Sequence, residues 1–142
     1  ALYRARAAAL SMMPTTTGAA RAVGLVLPAL EGRLDGVAIR VPTPNVSVVA
    51  VTFEAVAPTS VAALNAALGA AAATGPLAGI LGVTDAPNVS VDFNHDPRSA
   101  VVHLDQTRVL DGTFCRVLAW YDNEWGFSCR MADTAVAMAR LG

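Results

Sequence analysis

Four stretches of this chain carry residue types that could do chemistry. "WYDNEWGFSCR", Trp120 to Arg130, holds both tryptophans with an aspartate, an asparagine and a glutamate. "PTTTGAA", from Pro14, sets Thr17 and Gly18 where a helix begins. A helix N-terminus offers unpaired N–H groups and the positive end of its dipole, and glycine lets an oxyanion come close, so this turn could hold phosphate. Threonine caps with nearby glycine are also ordinary helix starts. Arg40 interrupts the apolar run "VAIRVPTP", where it must face water or meet an anion. "DFNHDPRSA" brings Asp92, Asn94, His95 and Asp96 together. That cluster reads as acid/base machinery or, more simply, as a turn whose Asn, Asp and Pro close a loop.

The cysteines and histidines add little. Cys115 and Cys129 form no CxxC pair, and with His95 and His103 they have no metal-ligand spacing, so no metal site is expected. A nucleophilic pair of Cys129 with either histidine is conceivable, but Cys129 falls in the final helix, where a small buried side chain is the usual occupant. Two cysteines make no disulfide framework, which favours a reducing compartment such as the cytoplasm.

The elements that must position these residues follow from pattern. "MMPTTTGAARAVGLVLPALEG" has helix signals: Thr17 can cap, Ala20, Val23, Leu27 and Leu30 recur at helical spacing, and Pro28 ends the regular part. "LDGVAIRVP" and "NVSVVAVTFEAV" read as two long strands. "TSVAALNAALGAAAATG" reads as a helix capped by Thr59 or Ser60 and stopped by Gly75. "LAGILGV", "NVSVDF", "SAVVHL" and "QTRVL" read as short strands, and "FCRVLAWYD" as a strong one. From about Glu124 to Leu141 an amphipathic helix is expected. The fold class is therefore α+β, a mixed and largely antiparallel sheet with about three helices. No GxGxxG follows a strand, so no dinucleotide-binding half is recognisable.

Composition narrows the partners. The chain has 142 residues, 54% hydrophobic and 15% charged, with net charge −1. Charged residues in a free-standing domain approach a quarter, so some of this surface is expected to be covered by more protein. The near-zero charge points away from nucleic acid. All ten basic residues are arginine. The uncharged run from Ala55 to Thr84 is mostly alanine and is cut by Gly75-Pro76, so it reads as helix, turn and strand and no membrane span is expected. "AAALSMMP" is too short and ends wrongly for a signal peptide.

Taken in order, "SMMPTTTGAARAVGLVLPALEGRLDGVAIRVPTPNVSVV" and, much later, "WYDNEWGFSCRMADT" resemble phosphorylating glyceraldehyde-3-phosphate dehydrogenase of bacterial type, across essentially the whole chain. "VSVDFNHDPRSA" and "DQTRV" also look like the related erythrose-4-phosphate dehydrogenase. The resemblance implies a single partial domain, residues 1–142: the C-terminal catalytic domain without its first strands, with the NAD-binding domain absent. It implies that Asn123 holds the nicotinamide carboxamide, a partner suited to an amide that donates and accepts at once. Trp120 and Trp125 are packing residues at that junction. It implies that Thr17, Gly18 and Arg4 take inorganic phosphate and that Arg40 contacts substrate phosphate. Ala1 to about Leu10 resembles the end of a loop that contacts a neighbouring subunit and its cofactor. Phe127 stands where many relatives have tyrosine, and Cys129 where they have asparagine.

In the family a cysteine thiolate, activated by histidine, adds to the aldehyde; hydride passes to NAD and phosphate releases the thioester. The nucleophile and base lie upstream of this chain in that pattern, so no catalytic residue is expected among residues 1–142. Implied are oxidation and phosphorylation of glyceraldehyde 3-phosphate to 1,3-bisphosphoglycerate in glycolysis or gluconeogenesis, with NAD as the cofactor and NADP left open, in a cytoplasmic homotetramer. The chain would supply phosphate and nicotinamide contacts and be inactive alone. The alternatives are erythrose-4-phosphate dehydrogenase and a non-catalytic module that binds phosphate or assembles with other subunits.

Overall fold

The computed structural model describes residues 6–141; Arg4 and the first half of the expected subunit-contact loop lie outside the described residues. The chain divides into two units, residues 1–44 and 45–142.

In the first unit, β1 (Met13–Thr15) pairs antiparallel with β2 (Ala38–Arg40), Met13 opposite Arg40 and Thr15 opposite Ala38. The expected long strand "LDGVAIRVP" is thus only three residues. Before it, Asp35 Oδ1 accepts the Gly36 N–H at 2.8 Å. Beyond it the Thr43 N–H bonds Val41 O at 2.7 Å, while Pro42 and Pro44 have no N–H to give a ladder. Helix α1 (Ala19–Val26) follows β1. Gly18, not Thr17, is its cap residue, and Leu27 and Leu30 fall beyond its end, because Pro28 opens a separate 3-10 turn, Pro28–Leu30.

The second unit is built on one mixed sheet in the order β3-β7-β5-β4, with β6 also on β7. Its centre is β7 (Phe114–Tyr121), the apolar and aromatic run "FCRVLAWY". β3 (Ser47–Glu54) lies antiparallel along its whole length, from Ser47 opposite Tyr121 to Glu54 opposite Phe114. The other edge of β7 is shared by β5 (Ala100–His103) and β6 (Arg108–Leu110), both antiparallel. β4 (Leu81–Thr84) runs parallel to β5. A parallel neighbour needs a crossover, and residues 85–99 supply it. That crossover contains "NVSVDF", expected as a strand. It is instead a 3-10 turn, Ser90–Phe93, because Asp92 Oδ2 accepts the Val89 N–H at 2.8 Å and curls the backbone. Phe93 thereby turns into the core with Val46 and Val101, against which Trp120 packs.

Helix α2 (Val61–Ala73) starts where the Ser60 hydroxyl accepts the Ala63 N–H at 3.2 Å. It packs near β4, and Asn65 ties it down by donating to Leu104 O at 3.0 Å. Helix α3 (Trp125–Ala139) follows β7 after a tight turn. Among the described residues the α+β class, with three helices and a mostly antiparallel mixed sheet, is the architecture observed. No helix among the described residues is long and apolar enough to cross a membrane.

Candidate functional site

The turn between β7 and α3 is organised by one carboxylate. Asp122 is 2% exposed. Its Oδ1 accepts the N–H groups of Glu124 at 3.1 Å and Trp125 at 2.9 Å. Its Oδ2 accepts the His95 N–H at 2.9 Å and Asn45 Nδ2 at 2.8 Å. Its carbonyl takes the Gly126 N–H at 3.0 Å, so the ladder of α3 starts here. Burial pushes this carboxyl upward and is the largest single influence. The Trp125, His95, Asn45 and Glu124 donors together outweigh it and hold it at about 2, below the ordinary 3.8.

Three segments converge on that carboxylate. Asn45 opens the path into β3, and its amide also reaches Asn94 Oδ1 at 2.5 Å. His95 and Val46 both hold left-handed backbone, φ +62° and +71°. That conformation is costly for a β-branched residue and persists only where the surroundings impose it. The His95 ring lies on Trp125, centroids 4.6 Å apart. Asn45, His95, Asp122, Glu124, Trp125 and Ser128 line a shallow polar depression of about 200 Å³.

Asn123 is exposed on this turn, and its Oδ1 accepts the Ser47 hydroxyl at 3.4 Å. The donor set fits a carboxamide, whose oxygen accepts what Nδ2 offers.

In the first unit, Thr17 Oγ1 accepts the Ala19 N–H at 3.1 Å, and Gly18 caps α1. A side chain at Gly18 would meet nothing within 4 Å, so internal packing does not require glycine there. Arg40 is exposed at the end of β2, level with Met13, while Thr17 lies two residues past the Thr15 end of the ladder.

Residues 1–123 match the family model described as "Glyceraldehyde 3-phosphate dehydrogenase, C-terminal domain". The chain belongs to this family. A glyceraldehyde-3-phosphate dehydrogenase of Cereibacter sphaeroides is 71% identical over 140 residues, 99% of this chain and 42% of that protein. Proteins of the same name from Xanthobacter flavus and Zymomonas mobilis are 67% and 58% identical, over 99% and 98% of this chain and 42% and 41% of theirs. The chain thus spans about two fifths of the length of the relatives it matches.

Within this dehydrogenase C-terminal domain the remaining candidates make structural contacts. His103 is buried. Its Nδ1 accepts the Trp120 Nε1–H at 3.0 Å, which leaves the proton on Nε2, facing Ala86 O at 2.9 Å and Asp105 Oδ1 at 3.0 Å. Trp120 also stacks on Phe93 at 5.5 Å, a packing role. Cys115 is fully buried in β7 with its thiol on Thr113 O at 3.3 Å, and Cys129 is half-buried in α3; neither is in a disulfide. Among the described residues no cluster of three metal-ligating side chains occurs. The carboxylates of "DFNHDPRSA" are engaged in local structure: Asp92 on Val89, and Asp96 with Arg98 at 2.5 Å. The Arg98 side-chain hydrogen bond lowers the Asp96 carboxyl. The turn reading of that stretch holds. Sequence reasoning missed Asn45 and Asp122 as partners, 77 positions apart. Both lie inside the quoted motifs, but only the pairing of β3 with β7 brings them together.

Proposed function

We propose that this chain is the phosphate- and nicotinamide-contacting part of a cytoplasmic, oligomeric dehydrogenase that oxidises and phosphorylates glyceraldehyde 3-phosphate. The observation that carries it is the 71% identity, over 99% of the chain, to a protein of that name. The relatives' names favour glyceraldehyde 3-phosphate over erythrose 4-phosphate. Asn123 holds the carboxamide of the nicotinamide ring through Nδ2, with Ser47 fixing its other end. The dinucleotide, NAD or NADP, accepts the hydride when bound. Thr17 and Gly18, at the positive end of α1, take inorganic phosphate, and Arg40 takes the substrate phosphate as a charged donor. Arg4 joins the phosphate site by resemblance alone. Neither cysteine supplies the nucleophile, since one is walled inside β7 and the other is mid-helix.

The test uses the full-length protein that carries these residues. Its kcat/KM is measured on glyceraldehyde 3-phosphate and erythrose 4-phosphate, each with NAD and NADP, with and without inorganic phosphate. The expected result is a phosphate-dependent preference for the three-carbon aldehyde. A preference for the four-carbon aldehyde, or turnover indifferent to phosphate, overturns the reading.

A further inference from the structure

We propose that Asp122, through its side-chain partner Asn45, is a positioning residue for the Asn123 amide and so sets affinity for the nicotinamide end of the cofactor. The proposal rests on the reading of Asn123 as the carboxamide partner. It concerns residues to which that reading gives no part.

Asp122 Oδ1 holds the N–H groups of residues 124 and 125, so the turn closes around residue 123 and fixes where its Cβ leaves the chain. Asp122 Oδ2 holds Asn45, and two residues later the Ser47 hydroxyl reaches Asn123 Oδ1. Between them Val46 is buried in the core with φ +71°. A β-branched residue holds that backbone only where its surroundings impose it. Here the near flank is tied by Asn45 on Asp122, and the far flank by Ser47 opposite Tyr121 in the sheet. One carboxylate therefore fixes both the backbone that carries the amide and the hydroxyl that orients it. The same Oδ2 holds the strained His95 N–H, which ties the crossover to this turn.

Asn45→Ala removes the link and leaves Asn123, Ser47 and the helix cap in place. Asp122→Asn keeps the shape but sets an NH2 group against the donors of His95 and Asn45. The experiment titrates full-length protein with NAD⁺ and, separately, with ADP-ribose, which lacks the nicotinamide. Asn123→Ala is the reference, and thermal unfolding is recorded for each variant. Loss of one well-placed hydrogen bond corresponds to about fivefold in affinity. The expected result is an NAD⁺ dissociation constant raised by about that factor in Asn45→Ala and Asp122→Asn, with ADP-ribose binding unchanged. Should Asp122→Asn fail to fold, Asn45→Ala carries the test. If NAD⁺ and ADP-ribose weaken together, the pair is merely structural and the proposal is overturned. If Asn123→Ala weakens NAD⁺ while the other two variants do not, this proposal alone falls. If Asn123→Ala leaves NAD⁺ binding unchanged, the reading of Asn123 falls and takes this one with it.

Discussion

At the residue scale, Asp122 makes the sharpest prediction. Its folded value of about 2 lies below the ordinary 3.8. The stability it contributes is therefore fully present above about pH 4 and is lost as pH falls toward 2. The shift corresponds to roughly 2 kcal/mol. In urea unfolding of the full-length protein, the gap between wild type and Asp122→Asn should be constant from pH 7 to 5 and narrow below pH 4. A gap that widened on acidification would mean that the carboxylate is not held ionised by its four donors. The cysteines make the opposite kind of prediction. In the full-length protein, on the proposed reading, Cys115→Ala and Cys129→Ala should leave turnover of glyceraldehyde 3-phosphate largely intact, since Cys115 is buried on Thr113 O and neither cysteine lines the polar depression beside Asn123. Loss of turnover with an unchanged melting temperature would make one of them the nucleophile. The site was only half legible in sequence. Asn123 stands out because its motif is dense with polar and aromatic types. Asn45 does not, because an asparagine after a proline reads as a turn residue until its partner across the sheet is known.

At the element scale, local chemistry decided which expectations held. β3, β7, α2 and α3 were readable because a β-branched run, an apolar and aromatic run, an alanine run with a serine cap and an amphipathic repeat each leave no competing signal. "NVSVDF" misled because its alternating pattern is that of a strand, while the one hydrogen bond from Val89 to Asp92 bends it into a 3-10 turn. β1 went unseen because Pro14 sits in its middle and the neighbouring helix signals dominate. Gly126 shows how an element's entry is fixed by contact. A Cβ there would lie 2.8 Å from Arg98 O, so α3 passes the 96–98 turn at a distance only glycine permits. Gly126→Ala is expected to destabilise the full-length protein by about 1–3 kcal/mol, through displacement of one backbone by the other. Thermal unfolding measures it. An unchanged or raised melting temperature would show that the turn yields freely.

At the scale of the whole molecule, the high apolar fraction and the exposed strand belong to one argument. Among the described residues β3 is an edge strand, paired with β7 alone. Val49, Val51 and Phe53 share one of its faces, and Val51 and Phe53 are 41% and 38% exposed. Apolar residues repeated along one face of a free edge offer both an uncovered surface and unpaired backbone groups, the combination that drives strands together. The 142-residue polypeptide produced alone should therefore self-associate and bind a hydrophobic dye such as ANS. Val51→Lys with Phe53→Lys should reduce both effects. In the full-length protein the same pair of lysines should lower the melting temperature if that face is covered there, because two charges would be buried without partners. A monodisperse, dye-silent 142-residue polypeptide would favour the independent module. A full-length protein indifferent to the lysines would mean that the face stays open to water there.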